Sequence, residues 1–203
     1  MNFTLNGAYR NNNNLIRIQS CQLAAVYLKE FEELFLERRF GALSAPDPIT
    51  AKIELEGGWL MVYFSPDMDV AGALDLWLAS AREEIDRLVF SFTSDLLGER
   101  LLERINAGVR VAGVYEASQA MSSGSEYERL LKSGADLRLD RNPNDMHHKV
   151  IIIDKELVVT GSYNFSRAAQ EENDENLLLI DNPDIASQYL IEFERLYEAA
   201  KPR

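Results

Sequence analysis

Shifted forward by 162 positions, residues 1–35 of this chain overlie residues 163–197 without a gap, and thirteen of the 35 pairs are identical. A window of that length supplies about two identities by chance. Asn2 and Phe3 fall on Asn164 and Phe165, Asn14 and Leu15 on Asn176 and Leu177, Tyr27 on Tyr189, and Phe31 and Leu34 on Phe193 and Leu196. The two ends are therefore expected to share one local structure, a short strand followed by an amphipathic helix. On this reading the chain begins inside a first copy of a repeat about 160 residues long, with about 125 residues of that copy missing upstream. Residues 1–40 are then the C-terminal remnant of the first copy and residues 41–58 a linker whose GALSAPDPIT carries two prolines. A complete second copy follows at 59–203.

Within the complete copy, apolar runs alternate with helical spacing. Residues 59–65, 87–92, 109–115 and 136–139 read as strands buried on both faces, near-continuous in apolar character. Residues 69–85, 95–107 and 124–134 place apolar residues three and four apart, as helices do. Asp69 and Ser94 are expected to cap the first two, and Gly108 and Gly134 to end the second and third. Two strands follow at 148–154 and 157–161, joined tightly at Lys155-Glu156. A strand at 176–181 and a closing helix from about 183 to 200, with Pro183 in its first turn, complete the copy. Such an order implies an α/β layered domain. Cys21 matches Pro183 and is expected to be a passive helix-start residue.

Composition removes several function classes. A net charge of −12 lacks the basic surplus on which non-specific nucleic-acid binding draws. The single cysteine excludes an intramolecular disulfide and a thiolate zinc cluster. No apolar run approaches the roughly 20 residues of a membrane helix. The compartment is left unassigned, because a targeting signal is expected to lie, if anywhere, in the missing first copy.

Residues 147–164 carry the chemistry, in the pattern H-x-K-x4-D-x6-G-S-x-N formed by His147, Lys149, Asp154, Gly161, Ser162 and Asn164. His147 and Lys149 stand two apart in an extended run, so both side chains leave one strand face and an imidazole lies beside a fixed cation. Gly161 tolerates close backbone approach, while Ser162 and Asn164 can donate hydrogen bonds. A nucleophile among donors and one positive charge suits attack at phosphorus, with Lys149 and Asn164 holding the oxygens where charge develops. No metal is required for this, and no H-E-x-x-H or C-x-x-C cluster is present to hold one. Asp154 falls on the opposite strand face from His147 and is assigned a supporting role. Glu175, by default a solvated loop carboxylate, is the candidate acceptor that orients His147 through its second ring nitrogen.

That pattern, with YFSPDMD, MHHKVIIID and TGSYNFSRAA around it, resembles the HKD motif of the phospholipase D superfamily. The resemblance covers residues 60–198 and, more faintly, 1–38. It implies a mixed sheet between helical layers, no cofactor, and a phosphodiester substrate: a phospholipid, a nucleic acid, or a phosphatidyl or nucleotidyl group passed to an alcohol. Residue by residue it implies His147 as nucleophile or its acid partner through a phosphohistidine, Lys149 and Asn164 as phosphate ligands, Ser162 as an auxiliary donor and Glu175 as orienter. The chemistry needs two histidines, and the chain holds only His147 and His148, which as strand neighbours point to opposite faces. A second HKD half is therefore expected from elsewhere, by homodimerisation or as a separately encoded N-terminal half. In the first copy Asn2 keeps the place of Asn164, but Asn13 replaces Glu175. The competing reading is an inactive fragment or a phosphate-binding module without turnover.

Overall fold

The computed structural model describes residues 1–44 and 52–202. Its centre is a nine-stranded mixed sheet of β1 (Ile53–Leu55), β2 (Gly58–Ser65), β3 (Glu84–Val89), β4 (Arg110–Tyr115), β5 (Asp136–Leu139), β6 (Lys149–Ile153), β7 (Leu157–Gly161), β8 (Glu175–Asp181) and the two-residue β9 (Lys201–Pro202). They lie in the order β1-β2-β8-β7-β6-β3-β4-β5-β9. Only β3–β4 and β4–β5 are parallel, the pairs joined by helical crossovers. One face is covered by α3 (Val70–Ser80), α4 (Asp95–Asn106), α6 (Tyr127–Lys132) and α7 (Arg167–Glu171). The other is covered by α8 (Pro183–Ala199) and by α2 (Cys21–Glu32), which comes from the opposite end of the chain. This is the expected α/β fold, a mixed sheet between two helical layers. Strand alternation sorts the apolar residues: Ile151 and Ile153 enter the first core, Val150 and Ile152 the second.

Most elements fall where the pattern put them, and the caps at Asp69, Ser94 and Asn182 each accept from a first-turn N–H. The main displacement is β3, expected at 87–92 and found three residues earlier. Its charges hid it: Arg110 reaches Asp86 at 2.7 Å and Glu84 at 3.3 Å, while Arg87 is buried against the Phe92 and Tyr115 rings. The helix before it accordingly stops at Ser80. A short α5 (Ala117–Ala120) was not anticipated. In the expected linker, residues 45–51 lie outside the described residues, and residues 53–55 form β1 against β2.

The two copies of the repeat agree closely in helices and caps. Helix α1 (Leu5–Tyr9) has α7 as its counterpart, with Thr4 capping Gly7 N as Ser166 caps Ala169 N. Helix α2 has α8, with Ser20 and Asn182 as the matching caps. They differ where β8 belongs, since residues 13–19 form no strand. The two copies also meet reciprocally. Tyr27 Oη donates to Asn176 Oδ1 at 3.2 Å, and the shifted mates repeat the pairing, Asn14 Nδ2 donating to Tyr189 Oη at 2.6 Å. Exchange of contacts between equivalent positions marks a local two-fold relation.

Asp154 has a defined mechanical role. It starts the β6–β7 turn with φ 51°, and Lys155 follows at φ 60°, a left-handed pair that tightens the hairpin. The Asp154 carboxylate accepts from the backbone N–H groups of Arg82 at 2.9 Å, Glu83 at 2.9 Å and Glu84 at 3.0 Å. It thus ties the far end of β6 to the start of β3. Burial pushes this carboxyl up, but the N–H donors of Glu83, Glu84 and Arg82 outweigh it and hold the pKa below the usual carboxylate range. Stability from this group is present above the unfolded carboxylate pKa and is lost as pH falls through the depressed folded value. Asp154→Ala is expected to lower unfolding free energy by about 2–4 kcal/mol at neutral pH, read by urea denaturation, and the gap should shrink in acid.

Candidate active site

Five strand ends converge at one edge of the sheet. Val89 at the end of β3 is in register with Lys149 at the start of β6, Gly161 ends β7 opposite Leu177, and Glu175 starts β8 opposite Ser65 at the end of β2. Parity puts Lys149 and Gly161 on the face of the first core, with Ile151, Val159 and Leu177. His147 shares that face: Lys149 Nζ lies 3.3 Å from His147 Nε2 and donates to the His147 carbonyl oxygen at 3.2 Å. The Phe90 ring meets the imidazole edge-on at 4.5 Å between centroids, and the Lys149 ammonium sits 4.7 Å over the same ring.

Burial sets the charge states. It is the first cause, and Lys149 the second, that brings the His147 imidazole down to about 4, so the ring is neutral at pH 7. Burial likewise lowers the Lys149 ammonium to about 8, with Glu175 and Asp145 pulling the other way. A neutral imidazole therefore lies beside a lysine still mostly cationic at pH 7.

The remaining sequence candidates divide. Ser162 Oγ accepts from Asn176 N at 3.0 Å and Nδ2 at 3.3 Å, beside a cavity of about 330 Å³ also lined by Gly161, Thr160 and Met1. Asn164 follows two residues on and holds a buried Oδ1 without a hydrogen-bond partner, a state buried amides seldom keep without a functional reason. Glu175 Oε1 accepts from Asn173 Nδ2 at 3.3 Å, and its charge bears on Lys149. Asp154 lies about 16 Å from Lys149 along β6, engaged by backbone N–H groups. There it clamps β6 to the start of β3, apart from the His147–Lys149 pair. His148 points to the opposite face as expected. It is buried there between Asn14 Oδ1 at 3.2 Å and Glu192 Oε1 at 3.3 Å, beside a cavity of about 570 Å³. Among the described residues, carboxylates close enough to share a cation are those of Glu30, Glu33 and Asp67, a grouping separate from the imidazole and ammonium.

Two supporting residues escaped the sequence reading. Glu116, buried at the end of β4, accepts from Met146 N at 2.9 Å through Oε2, while its Oε1 is held by Ser118 Oγ at 3.0 Å. Asn12 brackets the same segment, donating from its N–H to Asp145 O at 2.9 Å and accepting from His147 N at 2.9 Å. Neither carries a local motif; only the strand order brings them to residue 147.

Comparison with known proteins adds three findings. Residues 76–197 match the family model described as cardiolipin synthase, PLD-like domain. The mitochondrial cardiolipin hydrolase of Homo sapiens is 36% identical over 125 residues, 62% of this chain and 50% of that protein, and the phospholipase D of Rickettsia conorii is 30% identical over 68% of each. The chain spans about half the length of the cardiolipin hydrolases it matches. Among solved structures, Nuc of Salmonella typhimurium, a phospholipase D family member, superposes with a TM-score of 0.66 at 28% identity over 71% of this chain and 97% of its own. Phosphatidylserine synthase of Haemophilus influenzae shares the fold at a TM-score of 0.58 and 13% identity, over 94% of this chain and 48% of its own.

The site geometry makes two predictions. In an NMR titration the His147 imidazole is expected to protonate with a midpoint near 4, and Lys149→Met should raise that midpoint. Glu116→Ala leaves the Met146 N–H unpaired and is expected to cost about 1–3 kcal/mol and to shift the His147 resonances; Glu116→Gln, which keeps a carbonyl acceptor, should restore most of both.

Proposed function

Because the chain belongs to the phospholipase D superfamily, with its PLD-like domain at residues 76–197, we propose that it is one catalytic half of a phosphodiesterase acting through a phosphohistidine on His147. The observation that carries this is the neutral imidazole whose Nε2 stands 3.3 Å from a buried ammonium on one sheet face. The Nε2 lone pair attacks phosphorus, a P–N bond forms and the bond to the leaving oxygen breaks. Lys149, on meeting the substrate, moves its donation from Nε2 to a phosphoryl oxygen, and the amide of Asn164 and the hydroxyl of Ser162 serve the others as charge builds. Water or an alcohol then attacks phosphorus, gives its proton to the group on the second half that has just protonated the leaving oxygen, and the P–N bond breaks with its electron pair returning to Nε2. The first case is hydrolysis and the second transfer.

An alkoxide leaving group needs a proton, and His147 is the histidine on this face; His148 is held on the other by Asn14 and Glu192. The acid therefore comes from a second half. Nothing in the chemistry of these residues calls for a metal. The net charge of −12 weighs against a polyanionic nucleic acid as substrate, and relatives named for cardiolipin and for phospholipid hydrolysis weigh toward a lipid phosphodiester.

An activated ester separates the two steps, since p-nitrophenolate leaves at neutral pH without a proton. With bis(p-nitrophenyl) phosphate the chain is expected to release about one equivalent of p-nitrophenolate in a burst and to carry the remaining p-nitrophenyl phosphoryl group on His147, read by mass spectrometry. His147→Ala should abolish both, and Lys149→Met should slow the burst by about 10²–10³. The burst rate should rise with pH through about 4, where the imidazole becomes neutral, and fall above about 8, where Lys149 loses its charge. No burst and no label at any pH would sink the reading.

A further inference from the structure

Gly161 and Asn176 meet where β7 ends and β8 begins. A Cβ added to Gly161 would stand 2.1 Å from the Asn176 carbonyl oxygen, so only glycine permits this approach. The approach brings Ser162 against both the backbone and the side chain of Asn176. Ser162 N and Tyr163 N donate to the Asn176 carbonyl oxygen at 3.0 and 3.3 Å. Ser162 Oγ in return accepts from Asn176 N at 3.0 Å and from Asn176 Nδ2 at 3.3 Å. A hydroxyl has two lone pairs and one proton. With both lone pairs filled, the Ser162 proton is directed away from Asn176, and the open cavity of about 330 Å³ that both residues line leaves room for an acceptor.

Which end of the Asn176 amide faces Ser162 decides where that proton goes. Reversed, the amide would offer its oxygen, and the hydroxyl would spend its proton there. Tyr27 sets the sense from the other side, its Oη donating to Asn176 Oδ1 at 3.2 Å. A phenol donates more strongly than it accepts. Burial first and Glu30 second push the Tyr27 hydroxyl up to about 12, so it keeps the proton it gives. Its ring is held edge-on by Phe64, at 5.2 Å between centroids, and Phe64 stands in register with Asn176. We propose that Tyr27 and Asn176 are positioning residues that aim the Ser162 hydroxyl proton at a phosphoryl oxygen of the substrate. The identity of that acceptor rests on the proposed function; the aim rests on the three side chains themselves. Tyr27 and Asn176 stand 149 residues apart, so no local motif joins them.

The test is a double-mutant cycle on the full chain with two readouts. One is the burst rate with bis(p-nitrophenyl) phosphate, the other the affinity for inorganic phosphate by phosphorus NMR. Ser162→Ala is expected to slow the burst by about 10². Tyr27→Phe keeps the ring against Phe64 and should slow the burst, and weaken phosphate binding, by about threefold to tenfold. In the Ser162→Ala chain the same change should have less than about a twofold effect, because no hydroxyl is left to aim. Asn176→Ala should follow the same pattern, and urea denaturation of each variant separates loss of fold from loss of aim. A packing role for Tyr27 would slow both backgrounds alike. That result, or no slowing in either, overturns the proposal. The same pattern in phosphate affinity from a chain that shows no burst supports the positioning and counts against the covalent reading alone. A chain with neither burst nor phosphate binding overturns both.

Discussion

Everything at the candidate site depends on the alternation of side chains at the start of β6. That strand lies between β3 and β7 and is buried along its whole length, so its register cannot slip by one residue without sending every apolar side chain to the wrong core. The same alternation continues into residues 147 and 148. His147 and Lys149 are sent to one face and His148 to the other, where a different set of partners holds it. A reactive pair is thus built by the same packing that builds the core. Asp154 completes the arrangement from the far end, because a carboxylate fixed to three N–H groups of the β3 start sets where β6 lies relative to its neighbour.

Burial then determines the chemistry. A histidine and a lysine in water would both be substantially protonated below neutrality, and their repulsion would keep them apart. Taken out of water beside an aromatic ring, the imidazole gives up its proton while the lysine keeps most of its charge, helped by Glu175. The result is a neutral imidazole and a cationic ammonium in contact, with Ser162 and Asn164 following the end of β7.

Much of the architecture was legible because it rests on short-range rules. The strand pattern of 58–65, 110–115 and 149–161, the caps at Asp69 and Ser94, and the helix from Pro183 follow from local apolar spacing and first-turn hydrogen bonding. What was misplaced depends on long-range neutralisation. The start of β3 reads as solvated loop until Arg110, from the next strand, covers Glu84 and Asp86, and until Arg87 stacks on two distant rings. Glu116 was invisible for the same reason, since its partner Met146 is thirty residues away.

The sequence by itself determined the α/β fold, the His–Lys pair and its shared face, and the repeat linking the two ends, because each follows from a period of two or from a fixed offset along the chain. Only the tertiary structure decided that Asp154 is a clamp, that Glu175 bonds Asn173 while its charge favours the Lys149 ammonium, and that residues 1–40 dock through the two Tyr–Asn pairs with their apolar face still open. Those are questions of which group lies near which, and proximity between distant segments is set by the packing of the whole sheet.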